Sequence, residues 1–179
     1  DKTASVTSSD NKEEKYQGEV VIPEVVVYEE EGYTVTEIES HAFYDCSGIT
    51  SIIISESVTE IKQAAFGYCS GLKSITIPEN VTKIEFFTFF YCSGLTSITI
   101  PESVTKIGIA TLSSCSALTT IIVAVNNEIY DSRNSCNAII ETNTNTLIAG
   151  CSTTIIPGSV TKIKSGAFYG CSGLTSIYV

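Results

Sequence analysis

The apolar and polar positions of this sequence recur every 23 residues. Complete copies of the pattern begin at Ser51, Ser74, Ser97 and Thr153, and a partial copy begins at Val35. Five columns are apolar in every copy: Val58/Val81/Val104/Val160, Ile61/Ile84/Ile107/Ile163, Phe66/Phe89/Leu112/Phe168, Cys69/Cys92/Cys115/Cys171 and Leu72/Leu95/Leu118/Leu174. A period of this length predicts a solenoid, in which each repeat forms one coil and shares its core with its neighbours.

Each coil is expected to contain two short strands and a connecting arc. The segment LTSITI at 95–100 has the spacing of a short strand that stacks in parallel on the same strand of the next coil. Pro78, Pro101 and Pro157 close this strand, and the VTxI segment that follows predicts a second extended piece on the opposite face. The AFxxCSG segment then returns the chain in a helical or turn-like arc that ends at glycine.

Four of the seven cysteines follow the same period. Cys46, Cys69, Cys92 and Cys115 are 23 residues apart, and a small disulfide framework does not require such regularity. Side chains that stack at strand spacing also hold their Cβ atoms too far apart for a relaxed disulfide. These cysteines are therefore predicted to form a buried column of free thiols.

Composition and charge exclude several classes of function. The 179 residues suit one domain, and 10 Lys+Arg against 20 Asp+Glu give a net charge of -10 without a basic cluster, so nucleic-acid binding is not expected. No apolar run reaches the roughly 20 residues that span a bilayer, so no transmembrane segment is predicted. The single histidine, His41, leaves no His-rich metal site. We predict no catalytic residue, no metal and no cofactor, and hence no enzyme.

The repeat unit IPxSVTKIGxxAFxxCSGLTSI resembles that of the BspA-like leucine-rich repeat proteins of bacterial cell surfaces, also called Treponema-pallidum-type leucine-rich repeats. The segment YQGEVVIPEVVVYEEEGYTVTEIESHAF at 16–43 is similar to the hairpin cap of such proteins, and residues 126–151 are similar to an inserted unit of several members. The resemblance covers residues 16–179. It implies a right-handed, β-rich solenoid with a parallel sheet on its concave face and an N-terminal β-hairpin cap. It also implies export and exposure at the cell surface, where some members act as adhesins for host matrix proteins.

Three parts of the chain depart from the repeat. Residues 1–15 are polar and charged, which predicts a flexible tether. Residues 16–38 alternate extended segments around a Glu-rich turn, which suits a cap on the first coil. The unit at 120–152 has 33 residues where 23 are expected, and a protruding hairpin around 143–145 would account for the other ten.

The enlarged unit contains the cysteines and the pair of charged residues that depart most from the repeat. Cys151 falls in the Leu column, whereas Cys136 lies outside every column. Of the seven thiols, Cys136 is the best candidate for a reactive or paired cysteine, but a partly buried free cysteine is the default prediction. Asp131 and Arg133 are predicted to form a local ion pair that fixes the turn.

The FFTFFY segment at 86–91 supplies the first candidate binding surface. Phe86 stands where other copies carry Ser or Gln, Phe90 and Tyr91 replace smaller or mixed residues, and Ile109 lies on the same flank. An exposed aromatic patch of this kind marks a surface for a partner protein or a sugar. The alternative is that the neighbouring long hairpin folds over these residues.

A second candidate surface lies on the outward side of the first strand of each coil. Ile122, Ile155 and Tyr178 occupy one column there and would form an apolar stripe on adjacent coils. Repeat proteins commonly bind through a concave sheet. The alternative is structural, because Thr and Ile are simply good strand residues.

The function predicted from these features is a non-enzymatic, secreted cell-surface repeat protein that binds an extracellular protein or glycan, tethered through its N-terminal segment. The alternative is a spacer or display scaffold of a larger surface protein, without a ligand of its own. The last coil runs to Val179 without a visible polar cap. Such an end is expected to continue into a further domain, to be covered by a partner, or to pair edge to edge in a homodimer.

Overall fold

A computed structural model describes residues 2–8 and 15–174 of the chain. Within these ranges the chain forms a β-rich solenoid of short strands, joined by turns and by one 3-10 turn at Arg133–Ser135. The strands are β1 (Thr3–Val6), β2 (Gln17–Ile22), β3 (Val25–Tyr28), β4 (Glu31–Ile38), β5 (Gly48–Ile54), β6 (Glu60–Ile61), β7 (Ser74–Thr76), β8 (Lys83–Ile84), β9 (Ser97–Ile100), β10 (Lys106–Ile107), β11 (Thr120–Val123), β12 (Tyr130–Asp131), β13 (Ala138–Glu141), β14 (Thr146–Gly150) and β15 (Lys162–Ile163).

The predicted parallel sheet is present on one face of the solenoid, called the long-strand face here and built from β2, β5, β7, β9 and β11. Strands β2, β5 and β7 pair in parallel in this order, and β9 pairs in parallel with β11. The register advances by one repeat per strand, because Ser51 lies opposite Ser74 and Ile98 lies opposite Ile121. Buried and exposed side chains alternate along β9 and β11, so each strand turns one side to the core.

The VTxI segments form the opposite face, called the short-strand face here. Strands β4, β6, β8 and β10 pair in parallel in this order, which confirms the second extended piece predicted for each coil. The inward column of this face consists of the buried side chains Ile38, Ile61, Ile84 and Ile107. On the outside, the ammonium of Lys62 lies 2.7 Å from a carboxylate oxygen of Glu37 and 2.8 Å from one of Glu39.

The arcs between the two faces are joined by a regular ladder of backbone hydrogen bonds. In the first coil, the N–H groups of His41, Phe43 and Asp45 donate to carbonyl oxygens of the next coil at 2.7–3.0 Å. The corresponding N–H groups of the next two coils donate in the same way, and five of the six amides between them bond within their own coil. The arc is therefore neither a helix nor a free loop, but a stacked element whose backbone is bonded along the solenoid axis.

This ladder requires a left-handed backbone at two positions of each arc. The first position is occupied by His41, Ala64, Phe87 and Ala110 at φ between 50° and 63°, and the second by Asp45, Tyr68, Tyr91 and Ser114 at φ between 59° and 62°. In the last coil the same two positions are Gly166 and Gly170, both at φ 76°. A non-glycine residue pays roughly 1–2 kcal/mol for this conformation, so the coil-to-coil bonds must offset that cost.

The core between the faces is a set of stacked columns, as the sequence predicts. The rings of Phe43, Phe66 and Phe89 stack with centroids 5.4 and 5.6 Å apart. The thiols of Cys69, Cys92 and Cys115 are buried, and each donates at 3.1 Å to the carbonyl of the core phenylalanine in the preceding coil. These acceptors are Phe43, Phe66 and Phe89, respectively. All seven cysteines are free, which confirms the column of thiols.

The N-terminal segment is more ordered than the sequence suggests. The prediction of a flexible tether over residues 1–15 is wrong for Thr3–Val6, because these residues form β1 and pair in parallel with β4. Their alternation of exposed and half-buried side chains lets the segment add to the edge of the short-strand face. The Glu-rich turn lies in the antiparallel hairpin of β3 and β4, with Glu29 and Glu30 at positive φ.

The enlarged repeat contains a hairpin that is buried instead of protruding. Strand β13 pairs antiparallel with β12 and β14, and β14 pairs in parallel with β15. One side of the hairpin, including Ile139 and Ile148, joins the main core, while Ile140 and Leu147 join a second core with Ile156 of the last coil. The prediction of a protruding hairpin is therefore wrong. Consecutive apolar residues in AIIE and TLIAG give the hairpin two apolar sides, and both are covered.

The buried thiols predict a loss of stability at alkaline pH. Burial raises the pKa of Cys69 from its usual value of 9.0 to about 12. The thiol stays protonated in the folded chain while the unfolded chain ionises, so its stabilising contribution is complete below pH 9.0 and is lost as the pH rises towards about 12. In urea unfolding under reducing conditions, we expect Cys69→Ala to flatten the pH dependence of the unfolding free energy in this window, by up to about 1.4 kcal/mol per pH unit. Parallel curves for the two proteins would contradict this.

Candidate binding surfaces

The arcs of three consecutive coils present a continuous aromatic surface, defined here by Tyr44, Tyr68, Phe86, Phe87, Phe90 and Tyr91. Tyr44, Phe86 and Tyr91 are 41–43% exposed and Phe87 is 38% exposed. The ring of Tyr68 stacks on that of Tyr91 at a centroid distance of 4.9 Å and meets those of Tyr44 and Phe90 edge to face at 5.3 and 5.5 Å. Large aromatic rings in mutual contact and open to solvent are the usual setting of recognition surfaces.

The local backbone explains why these rings point outward. The core needs the columns of Phe66 and Cys69, whose side chains are fully buried. The outward side chains come from the two left-handed positions of each arc, which are Ala64 and Tyr68 in the second coil, and from the residue before each of them. In the second coil itself Ala64 is small and buried, and Gly67 has no side chain. In the third coil all of these outward positions are aromatic, whereas Phe89 in the core column is buried.

The sequence-predicted residues Phe86, Phe90 and Tyr91 all lie on this surface, and Ile109 lies beside it at 58% exposure. The carbonyl of Ile109 accepts the N–H of Phe87 at 3.1 Å, so the two arcs are direct neighbours. The alternative, in which the long hairpin folds over the aromatic residues, does not occur, because Phe86 and Tyr91 stay exposed and the hairpin pairs with β12 and β15 in a separate sheet. Sequence reasoning did not single out Phe87. Its column contains His41, Ala64 and Ala110, and that mixed composition marks an outward position.

A cleft of about 280 Å³ opens in the aromatic surface. Tyr44, Tyr68, Phe87 and Phe90 supply its aromatic walls, and His41, Gln63 and Ala64 complete the lining. Among residues 2–8 and 15–174, none that lines this cleft carries a carboxylate, ammonium or guanidinium group. The nearest acid along the chain from Tyr44 is Asp45, whose carboxylate forms an ion pair with Lys15.

The second candidate surface is less coherent than the sequence suggests. Ile122 in β11 is 48% exposed and Ile155 is 67% exposed. Ile155 does not continue the ladder of β11, since its N–H donates to the carbonyl of Cys136 at 3.0 Å. The enlarged repeat therefore intervenes between the two isoleucines. Tyr178 lies outside the described residues.

In the enlarged repeat, the cysteine and the charged side chains have structural roles. Cys136 is a free thiol that is 1% exposed, and burial raises its pKa. The default prediction of a free cysteine is therefore confirmed, and the thiol is more deeply buried than expected. Arg133 donates from Nε to Asp131 at 2.8 Å and from a terminal nitrogen to the side-chain oxygen of Asn145 at 2.8 Å. The predicted ion pair thus links the 3-10 turn to the hairpin loop.

Two further residues of this unit, which sequence reasoning missed, terminate the regular coils. The side-chain amide of Asn127 donates to the carbonyls of Pro101 and Val104 at 2.7 and 3.0 Å. The hydroxyl of Tyr130 accepts the buried N–H of Ile107 at 3.1 Å. Both stand in columns that carry Val or Ile elsewhere, and polar replacements in an apolar column could have signalled this role.

The part of the chain that the structure describes offers little else that could carry chemistry. Within residues 2–8 and 15–174, no group of three or more His, Cys, Asp or Glu side chains is placed to hold a metal ion. In the same ranges, no helix has the length and apolar character needed to cross a bilayer.

The comparisons with known proteins agree with the coil architecture. The BspA type leucine rich repeat region matches residues 36–148 and 139–179, in six copies. The chain therefore belongs to the BspA-type leucine-rich repeat family. No curated protein matches the sequence.

Several solved structures share the fold. A leucine rich repeat protein of T. pallidum is 27% identical, with a TM-score of 0.58 over 90% of this chain and 58% of its own. A leucine-rich repeat protein from Bacteroides capillosus is 30% identical, with a TM-score of 0.57 over 68% of this chain and 87% of its own. A leucine rich cell surface protein from Faecalibacterium prausnitzii shares the fold at 24% identity and a TM-score of 0.53, over 98% of this chain and 65% of its own. The chain thus spans less than two thirds of the T. pallidum and F. prausnitzii proteins.

The hydroxyl of Tyr130 provides a test of how the regular coils are terminated. We expect Tyr130→Phe to lower the unfolding free energy by about 1–3 kcal/mol, because the buried N–H of Ile107 loses its acceptor. The measurement is urea unfolding followed by circular dichroism. Tyr28→Phe is the matched control, since Tyr28 is 66% exposed. Equal stabilities of the two variants would contradict the role of Tyr130.

Proposed function

We propose that this chain is a non-enzymatic repeat module of the bacterial cell surface that binds an extracellular protein or glycan through the aromatic surface of its arcs. The observation that carries the proposal is the exposure of Tyr44, Phe86, Phe87 and Tyr91 in one continuous patch. Burying exposed aromatic area is strongly favourable, and aromatic anchors dominate many binding interfaces.

The repeat itself supports a binding role for this surface. The core columns and the arc ladder do not use the outward side chains, so aromatic residues at Phe86 and Phe90 are not needed to hold the coils together. In the neighbouring coils the same positions are occupied by Gln63 and Gly67 on one side and by Ile109 and Ser113 on the other. A cluster of rings at dispensable positions is best explained by recognition.

Membership of the BspA-type family and similarity to a leucine rich cell surface protein of F. prausnitzii support the proposed location. The net charge of -10 further disfavours nucleic acids as partners. We propose that the chain acts outside the cell as one module of a displayed protein. Its ligand is then an extracellular macromolecule, and recognition depends on side chains of the arcs.

The test is a solution binding screen against extracellular matrix proteins and glycans, with two double variants. We expect Phe86→Ser/Tyr91→Ser to weaken binding at least about tenfold, because two exposed anchors are removed. Ile122→Thr/Ile155→Thr removes a comparable exposed apolar area from the other face and should leave binding unchanged. Circular dichroism and thermal unfolding would establish that both variants keep the fold.

Two outcomes would contradict the proposal. Loss of binding in the Ile122/Ile155 variant alone would move the site to the other face. Absence of binding across the screen would favour a spacer or display scaffold without its own ligand.

A further inference from the structure

We propose that the cleft in the aromatic surface is a binding site for a neutral sugar residue of a glycan. The inference rests on the proposed function and deepens it by naming the ligand class and the subsite. The cleft has a volume of about 280 Å³ and lies across the arcs of three coils. His41 and Tyr44 come from the first coil, Gln63 and Tyr68 from the second, and Phe87 and Phe90 from the third.

The cleft exists because one small residue stands between two large ones. His41, Ala64 and Phe87 occupy the same left-handed position in consecutive arcs, with φ of 63°, 50° and 60°. Their backbones are joined by the arc ladder, since Ala64 donates to the carbonyl of Phe86 at 3.1 Å and His41 donates to that of Gln63 at 3.0 Å. The methyl group of Ala64 therefore forms a floor between an imidazole and a phenyl ring.

The walls of the cleft are rings held by one another. His41 packs edge to face on Tyr44 at a centroid distance of 5.2 Å, Tyr44 on Tyr68 at 5.3 Å, and Phe90 on Phe87 at 5.3 Å. Such contacts fix the rings before a ligand arrives, which lowers the entropy cost of binding. Fixed ring faces suit the C–H face of a pyranose, which is a rigid apolar disc with a polar edge.

The polar groups at the rim suit the hydroxyls of a sugar. Among the described residues, the side-chain amide of Gln63 and the imidazole of His41 make no hydrogen bond to the protein, so both are free to bond a ligand. An amide offers a donor and an acceptor together, as vicinal hydroxyls require. The lining that the structure describes contains no carboxylate, ammonium or guanidinium group, so the site matches a neutral ligand better than a charged one.

The arc backbone disfavours the other class of ligand, an extended peptide. Peptides commonly bind to repeat and sheet surfaces by adding a strand to an open edge. Here the N–H groups of His41, Ala64 and Tyr68 are all used in bonds to the next coil. The cleft also lies near the small end of ligand sites, which span roughly 300–1,000 Å³, and is open to solvent beside the exposed ring of Tyr44. A single sugar ring fits this volume, and the rest of a glycan can extend over the aromatic surface.

The decisive variant is Ala64→Phe, which fills the cleft. Phenylalanine is compatible with this backbone, because Phe87 already occupies the same position of the next arc at nearly the same φ. The probes are a panel of immobilised neutral oligosaccharides ending in glucose, galactose, mannose or N-acetylglucosamine, with the free monosaccharides as millimolar competitors. We expect the unmodified chain to bind a subset, the matching monosaccharide to compete, and Ala64→Phe to weaken binding at least about tenfold.

Two additions make the result independent of folding. His41→Ala/Gln63→Ala removes the rim donors from the surface and should weaken the same glycans, while Ile122→Thr/Ile155→Thr should not. Saturation-transfer NMR should show magnetisation passing from tyrosine and phenylalanine rings to the sugar C–H protons in the unmodified chain.

The proposal is overturned if no neutral glycan binds, or if Ala64→Phe and His41→Ala/Gln63→Ala both bind like the unmodified chain. Binding restricted to acidic glycans and abolished by salt would also overturn it. A protein ligand that is lost in Phe86→Ser/Tyr91→Ser but retained in Ala64→Phe would refute the sugar site and leave the proposed function standing. Loss of every ligand-binding signal in the original screen would refute both.

Discussion

The structure depends on the hydrogen bonds that left-handed residues in each arc donate to the next coil. These bonds run from Ala64 to Phe86 and from Tyr68 to Phe90, with equivalents in the neighbouring coils. They hold the arcs at the spacing set by the strands on the two faces. They also provide hydrogen-bond partners for the arc backbone, although the arc is not a helix. Because the left-handed conformation is unfavourable for residues other than glycine, each coil relies on its neighbour. The repeats are therefore stable as a stack and not one by one.

The same backbone hydrogen bonds leave the outward side chains of the arcs without a role in holding the coils together. The arc backbone sends the side chains of Phe66 and Cys69 into the core and turns that of Tyr68, between them, towards the aromatic surface, where it is half-buried. Coil-to-coil bonding is made by the backbone, so the outward side chains can vary without disturbing the stack. A small Ala64 between His41 and Phe87 is enough to create a cleft, and aromatic neighbours are enough to give it walls. The exposed side chains of the arcs can thus change while the fold stays the same.

Much of the fold could be predicted from the sequence, because stacked columns repeat the same side-chain type. The period located the parallel strands, the thiol column and the phenylalanine stack. The left-handed positions could not be predicted, since Ala64, Tyr68 and Phe87 carry no glycine signal and only Gly166 and Gly170 reveal the requirement. The prediction for the hairpin of the enlarged repeat was wrong because apolar residues on both sides of a hairpin do not show which elements will cover them. For the candidate site, the departures from the repeat at Phe86, Phe90 and Tyr91 pointed to residues that the structure places together in the aromatic surface. The cleft could not be predicted from the sequence, because it depends on a small side chain in one arc lying between larger side chains in the adjacent arcs.

Hydrogen exchange at single amides tests the account most directly. The account predicts that the amides of Ala64, Tyr68, Phe87 and Tyr91 exchange as slowly as those of the buried strands, because each donates to the next coil. Glu102 and Asn126, which lie in exposed turns, provide the fast-exchanging reference. Exchange of the four arc amides at the rate of these turns would contradict the account, since the arcs would then be loops and not a bonded ladder.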